Sequence, residues 1–309
     1  MMRASMDFLE QLTLGSKLRY GIGALLGIIF LLSAASIYSS RQQTTQLRSM
    51  YTLTLLGLSA TQETHTHLME VGRDLRQLLL EAQRPLVMAG GGGWTPQAAQ
   101  ALQRFAENWQ LPVANAFRFQ DTFDNHHPLY AGDVGLGINP KLAARIREAD
   151  LLLVLGARLG EATTGSYTLI DAPLPKQKLV HIHASAEELG RVYHPTLAIC
   201  ATMNAAARSL EVLTAPPQVA WEPWAAAAQA DYRANIDPAN GGVVLPGLVD
   251  MPEVMDVVRR LLPADAVLTN GAGNFASWLH RFNPYHRLDK GHSRRGRSVT
   301  RHERSLYRS

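Results

Sequence analysis

The sequence predicts an α/β fold: a doubly wound parallel sheet, preceded by a transmembrane helix and a long α-helix. Two observations predict the sheet. Short apolar runs such as "DLLLVLG" and "KLVHIHA" alternate with amphipathic helical stretches, as in parallel strands covered on both faces. Glycines close several of these runs, where backbone must approach backbone or a ligand. A third observation, the 21 residues without a charge between Arg19 and Arg41, predicts the leading helix. At 1.5 Å per residue such a run spans roughly 30 Å, the thickness of a bilayer core.

Taken in order, residues 20–40 form the membrane helix, with Tyr20 and Tyr38 at interfacial positions. Basic residues on its N-terminal side favour a cytoplasmic N-terminus. Leu47, Tyr51, Leu55 and Leu58, then Leu68, Leu75 and Leu79, stripe one side of a long helix that ends near residue 81. "PLVMAG" is a strand stopped by Gly90–Gly93, and the Thr-Pro of "TPQAAQALQRFAENW" opens a helix. "LPVANAF" is a strand, "DTFDNHHPLYAGDVGLG" a loop and "NPKLAARIREA" a helix. Next come the strand "DLLLVLGARLG", the strand "KLVHIHA", a short helix "SAEELGRV", the strand "TLAICAT" and the helix "MNAAARSLEVL". Residues 215–250 read as a linker with some helix, and 251–285 restart a helix–strand pattern. Residues 286–309 are basic and apolar-poor, the composition of a solvated, disordered tail.

With 309 residues and 46% hydrophobic content the chain can bury a full core. The single cysteine, Cys200, cannot form an internal disulfide, and its apolar surroundings predict a buried thiol. No CxxC or HExxH signature occurs, so no metal ligands are assigned. His65 and His67 are two apart on a helix and point in different directions. His181 and His183 share a strand face and read as ordinary edge histidines, and His126 and His127 read as turn residues. The net charge of +4 is a property of the tail: Arg287–Ser309 holds eight Lys/Arg against two acids, leaving 22 against 24 elsewhere. No nucleic-acid-binding face is expected. "GGGGW" lacks the GxGxxG spacing, and no carboxylate ends the next strand, so a dinucleotide-binding unit is disfavoured.

The ordered set "RPLVMAGGGG", "LPVANAFRFQDTFDNHHPLYAGDVG", "ADLLLVLGARLGEATTGSY" and "KLVHIHASAEELGRVYHPTLAI" resembles the central domain of thiamine diphosphate-dependent enzymes, the acetolactate synthase-like ones above all. The resemblance implies a six-stranded Rossmann-like domain over residues 82–214, which in some members holds FAD or ADP and in others nothing. It would place Gly91, Gly92, Gly156, Arg158 and Leu159 along a nucleotide cleft. Many relatives have an Asp at the position of His183. "MPEVMDVVRRLLPADAVLTNGAGNFASWLHRF" resembles the start of the diphosphate-binding domain, with Gly273, Asn274 and Phe275 matching its phosphate-approaching turn. The family's cofactors are thiamine diphosphate and Mg²⁺. The GDG…N segment that holds the metal does not occur here, and the pyrimidine-binding domain with its catalytic glutamate finds no match, so no catalytic residue is assigned. Residues 1–81 resemble the first membrane helix and first sensor helix of a methyl-accepting chemotaxis protein.

These readings imply part of a 2-oxo acid lyase or transferase, inactive by itself. The alternatives are a membrane-anchored chemoreceptor-like sensor fragment and a non-functional gene fusion joined near residues 81–84. The expected setting is the bacterial inner membrane, single-pass through residues 20–40, with a homo-oligomer as partner; the parent enzyme is cytoplasmic.

Overall fold

The computed structural model of the chain describes residues 61–240, 249–263, 266, 268–271, 273, 275–286 and 299–300. The chain divides into two compact units, Met1–His65 and Thr66–Ser309. The membrane segment predicted at residues 20–40 lies outside the described residues. Among those described, no helix is long and apolar enough to cross a membrane.

The second unit is built on a six-stranded, wholly parallel sheet. Its strands are β1 (Pro85–Ala89), β2 (Val113–Ala116), β3 (Tyr130–Val134), β4 (Leu151–Leu155), β5 (Lys178–His183) and β6 (Leu197–Cys200), in the spatial order β3-β2-β1-β4-β5-β6. This is the doubly wound order, with the chain's direction of travel reversing between β1 and β4. The central strands β1 and β4 are buried at every position, which explains why they read as continuous apolar runs.

The helices are α1 (Thr61–Glu81), α2 (Pro96–Trp109), α3 (Pro140–Glu148), α4 (Met203–Glu211) and α5 (Glu222–Ile236). Thr95 caps α2 by accepting the Ala98 N–H at 3.3 Å, with Pro96 at the first helical position, as the Thr-Pro pair predicts. One face of the sheet packs Val87, Leu153, Val180 and Ile182 against α1, α2 and α4. The other packs Leu86, Met88, Leu152 and Leu179 against α3 and the 157–170 loop.

Four features depart from the sequence expectations. The strand β3 lies inside the stretch read as a loop, because Gly132 (φ +122°) and Asp133 break its apolar pattern. The helix α5, in the stretch read as a linker with some helix, does not merely connect but straps the edge strand: Tyr232 meets Tyr130 edge-on at 4.6 Å. Asp231 on α5 also accepts from Lys141 Nζ at 2.8 Å and pairs with Arg145 of α3. Where a short helix was expected after β5, only a 3₁₀ turn over Ala186–Glu188 forms. Cys200, expected to be buried, is exposed, because β6 is an edge strand and its last side chain has no covering element.

The helix α1 runs unbroken to Glu81, and its last turns belong to the core: Leu75, Leu79 and Ala82 are buried among Leu102, Phe105 and Trp109. The turn into β1 is pinned by Asp150, whose two carboxylate oxygens accept the Gln83 and Arg84 N–H groups at 2.8 and 2.9 Å. Beyond α5 lie α6 (Met251–Leu261), β7 (Thr269–Asn270), α7 (Ala276–Phe282) and β8 (Val299–Thr300). Two tail residues expected to be disordered, Val299 and Thr300, pair in parallel with Thr269 and Asn270.

Candidate functional site

The reversal between β1 and β4 opens a crevice at the carboxyl ends of the strands, the general place for a ligand in such sheets. Gly90 donates its N–H to the Leu155 carbonyl at 2.9 Å, and Gly156 donates to Ile182 at 2.8 Å. Gly91 (φ +74°) and Gly156 (φ +72°) then bring their loops into direct backbone contact. A Cβ on Gly91 would lie 1.9 Å from the Gly156 oxygen, and one on Gly156 would lie 2.5 Å from the Gly90 oxygen. Only glycine satisfies both positions. Trp94 closes the β1 side by donating its indole N–H to Gly90 at 2.8 Å.

Beside this crossing a cavity of about 260 Å³ opens at the ends of β4 and β5, lined by Arg158, Leu159, Gly160, Tyr167, His181, Glu188, Arg191, Val192 and Tyr193. Glu188 sits 3.4 Å from Arg158 and 3.1 Å from Arg191, so the three groups together leave one positive charge at the mouth. Burial pushes the His181 imidazole down to about 4, so it is neutral at pH 7 and its Nε2–H donates to the Ala157 carbonyl at 3.0 Å. His183 does not join it: its Nδ1 accepts the Ser185 N–H at 3.0 Å. The two rings meet edge-on at 6.0 Å and share no ligand position.

A second, smaller cavity of about 20 Å³ lies at the end of β3, between Asp133, Tyr232, His280 and Arg281. Burial raises the Asp133 carboxyl to about 8, with the neighbouring Gln120 side chain acting in the opposite direction. Burial likewise holds His280 below its ordinary value, with Arg118 acting in the same direction.

A third grouping joins Asp124, His126 and His286, whose ligand-capable atoms all lie within 4.8 Å of one another. Sequence reasoning assigned no metal ligands and missed it, because His286 is 160 residues from His126 and only the fold brings them together. His127 does what a turn residue is expected to do: its Nδ1 accepts the Leu129 N–H at 3.1 Å while Nε2 meets Glu107 at 3.0 Å.

Of the residues predicted along the nucleotide cleft, Arg158 and Leu159 line the larger cavity, and Gly156 forms the turn leading into it. Gly91 lies across the crossing. Gly92 is exposed, with nothing within 4 Å of a Cβ placed on it. Gly273 and Phe275 line neither cavity, Phe275 being 59% exposed, and Asn274 lies outside the described residues.

Comparison with known proteins gives a consistent result. Residues 73–210 match the thiamine pyrophosphate enzyme central domain. The match starts at residue 73, and Leu75 and Leu79 within it are buried. The acetolactate synthase large subunit of Parasynechococcus marenigrum (strain WH8102) is 30% identical over 206 residues, covering 65% of this chain and 32% of that protein. The acetolactate synthase isozyme 1 large subunit of Escherichia coli (strain K12) is 26% identical over 216 residues, covering 70% and 36%. The sulfoacetaldehyde acetyltransferase of Castellaniella defragrans is 29% identical over 134 residues, covering 43% and 22%. The chain spans about a third of the length of the acetolactate synthases it matches.

Proposed function

Since these comparisons support the thiamine pyrophosphate enzyme family for the α/β unit, we propose that the unit serves as the central domain of an acetolactate synthase-like 2-oxo acid lyase or transferase, and that this chain alone does not turn over substrate. The observation that carries the reading is the doubly wound sheet with its glycine crossing, coinciding with the residues that match the family.

Family membership implies thiamine diphosphate and Mg²⁺, but the residues described here do not fit that site. The sequence has no GDG, and among the described residues metal-capable side chains gather only at Asp124, His126 and His286, away from the Gly273–Phe275 turn. The helix after that turn, α7, has only seven residues, and among the described residues no second group of metal-capable side chains forms. No catalytic step is therefore assigned to this chain.

The larger cavity is the part of the unit suited to a ligand. Its volume of about 260 Å³ lies just below the range of roughly 300–1,000 Å³ typical of small-molecule sites. It suits the phosphate-bearing end of an ADP-type nucleotide, held by the residual positive charge of Arg158 and Arg191, better than a whole FAD. Titration with ADP, FAD and thiamine diphosphate plus Mg²⁺, followed by tryptophan fluorescence, tests the proposal. We expect a saturable response to ADP that Arg158→Ala weakens, none to thiamine diphosphate, and no consumption of pyruvate. Saturable thiamine diphosphate binding or pyruvate turnover would overturn the scaffold reading.

We propose further that residues 20–40 anchor the chain, single-pass, in the bacterial inner membrane, on the strength of their uncharged length. Extraction of membranes with alkaline carbonate decides this, since an anchored chain stays in the pellet. A homo-oligomer is also proposed, on the exposed Val254, Val257 and Leu261 of α6. Light scattering of the purified chain tests it, and a monomer at all concentrations would dismiss it.

A further inference from the structure

We propose that Asp124, His126 and His286 form a binding site for a borderline transition-metal cation of the Zn²⁺ or Co²⁺ type. Two imidazoles and one carboxylate are a donor set that such ions favour over Mg²⁺ or Ca²⁺, and three protein ligands leave one position for water. His126 Nδ1 lies 3.2 Å from Asp124 Oδ1, and His286 Nδ1 lies 3.8 Å from Asp124 Oδ2. Donor atoms sharing one tetrahedral ion at about 2.0–2.2 Å stand roughly 3–4 Å apart, so small side-chain rotations bring all three into range. The two rings already stack, centroids 4.4 Å apart and 17° from parallel.

The backbone around the three ligands is held from inside. Asn125, which lies between the first two, donates its N–H to the Tyr285 carbonyl at 2.9 Å and accepts the Tyr285 N–H on Oδ1 at 2.9 Å. This two-way clamp fixes the residue before His286 against the residue between Asp124 and His126. Asn125 Nδ2 also donates to the Gln120 and Phe123 carbonyls, both at 2.9 Å, and Tyr285 is 1% exposed. The ligands therefore sit at the rim of a rigid joint with their side chains open to solvent, an arrangement that lowers the ordering cost of binding. On binding, Nδ1 of His126 gives its lone pair to the cation, so the single proton of the neutral ring sits on Nε2.

The test is a calorimetric titration of Zn²⁺ into the chelator-stripped full chain. We expect one saturable equivalent that is lost in His126→Ala and in His286→Ala, and at least tenfold weaker binding in Asp124→Asn. His194→Ala, distant from the cluster, should bind like the parent chain. The unfolding midpoint without metal should move little in His126→Ala and His286→Ala, whose side chains are exposed. Binding that survives the His126→Ala/His286→Ala pair, or that never saturates, would overturn the proposal.

Discussion

Replacing Leu79 by alanine tests whether the last turns of the long helix are integral to the α/β unit. Leu79 is completely buried, in a cluster with Leu75, Ala82, Leu102, Phe105 and Trp109. Truncation removes three carbons, worth about 2.4 kcal/mol of transfer free energy at roughly 0.8 kcal/mol each. The void adds to this, because the wall opposite cannot collapse. Trp109 donates its indole N–H to Leu213 at 3.1 Å, and its carbonyl accepts from Trp221 at 3.0 Å, so it is tied on two sides. The total should fall in the upper part of the leucine-to-alanine range, about 3–5 kcal/mol. Urea unfolding followed by tryptophan fluorescence measures it. With a slope of about 2 kcal/mol per molar urea, the midpoint should drop by roughly 1.5–2.5 M. Gln77→Ala, on the exposed side of the same helix, should stay within about 0.5 kcal/mol of the parent chain. If the two variants unfold alike, the helix is an appendage and its apolar contacts contribute nothing.

Gly91→Ala should destabilise by about 2 kcal/mol or more, from a left-handed φ and a collision with the Gly156 carbonyl, whereas Gly92→Ala should be neutral or slightly stabilising; thermal unfolding distinguishes them. Asp133 has a folded-state value of about 8, above its ordinary 3.8. The stability this group contributes is thus complete below about pH 4, declines as pH rises toward 8 and is lost above it. Asp133→Asn should flatten that decline and unfold later than the parent chain at pH 8–9, by an order of 2–4 kcal/mol; parallel stability–pH curves for the two proteins would refute the burial of this carboxyl. Cys200, exposed at the end of β6, should react with a thiol reagent in the native protein as fast as a free thiol does, one equivalent per chain. Marked protection in the native state would show that something covers this edge.

Much of the sheet was legible because its central strands are buried on both sides and carry no polar residue. "LLLVL" is unmistakable in sequence and buried at all five positions in the fold. The edges were harder. At one edge β3 contains Gly132 and Asp133, and its strand conformation is imposed by pairing with β2 and by Tyr232 from above, which no local pattern records. At the other edge β6 has an apolar sequence but little cover, so the composition that suggested a buried Cys200 misled. Helix α5, whose alanine run follows two tryptophans, reads as part of a linker with some helix, and its place on the sheet emerges only when Asp231 finds Lys141 and Arg145 some 90 residues earlier. Of the candidate site residues, Arg158 and Leu159 could be carried over from the family resemblance to a real cavity. The joining of His286 to Asp124 and His126 depends on a contact between distant segments, and spacing along the chain carries no trace of it.

The unequal covering of the two sheet edges has a consequence for how copies of this protein meet. The strap of α5 across β3 blocks strand addition on that side, whereas among the described residues nothing pairs with the outer side of β6. Any extension of the sheet by another chain must therefore proceed from β6, in one direction only. A row of four residues is short enough to keep such pairing weak. Two molecules that paired there antiparallel and in register would set Cys200 of each opposite Leu197 of the other, roughly 10 Å from the second thiol, so the contact would rest on backbone hydrogen bonds and no disulfide would lock it.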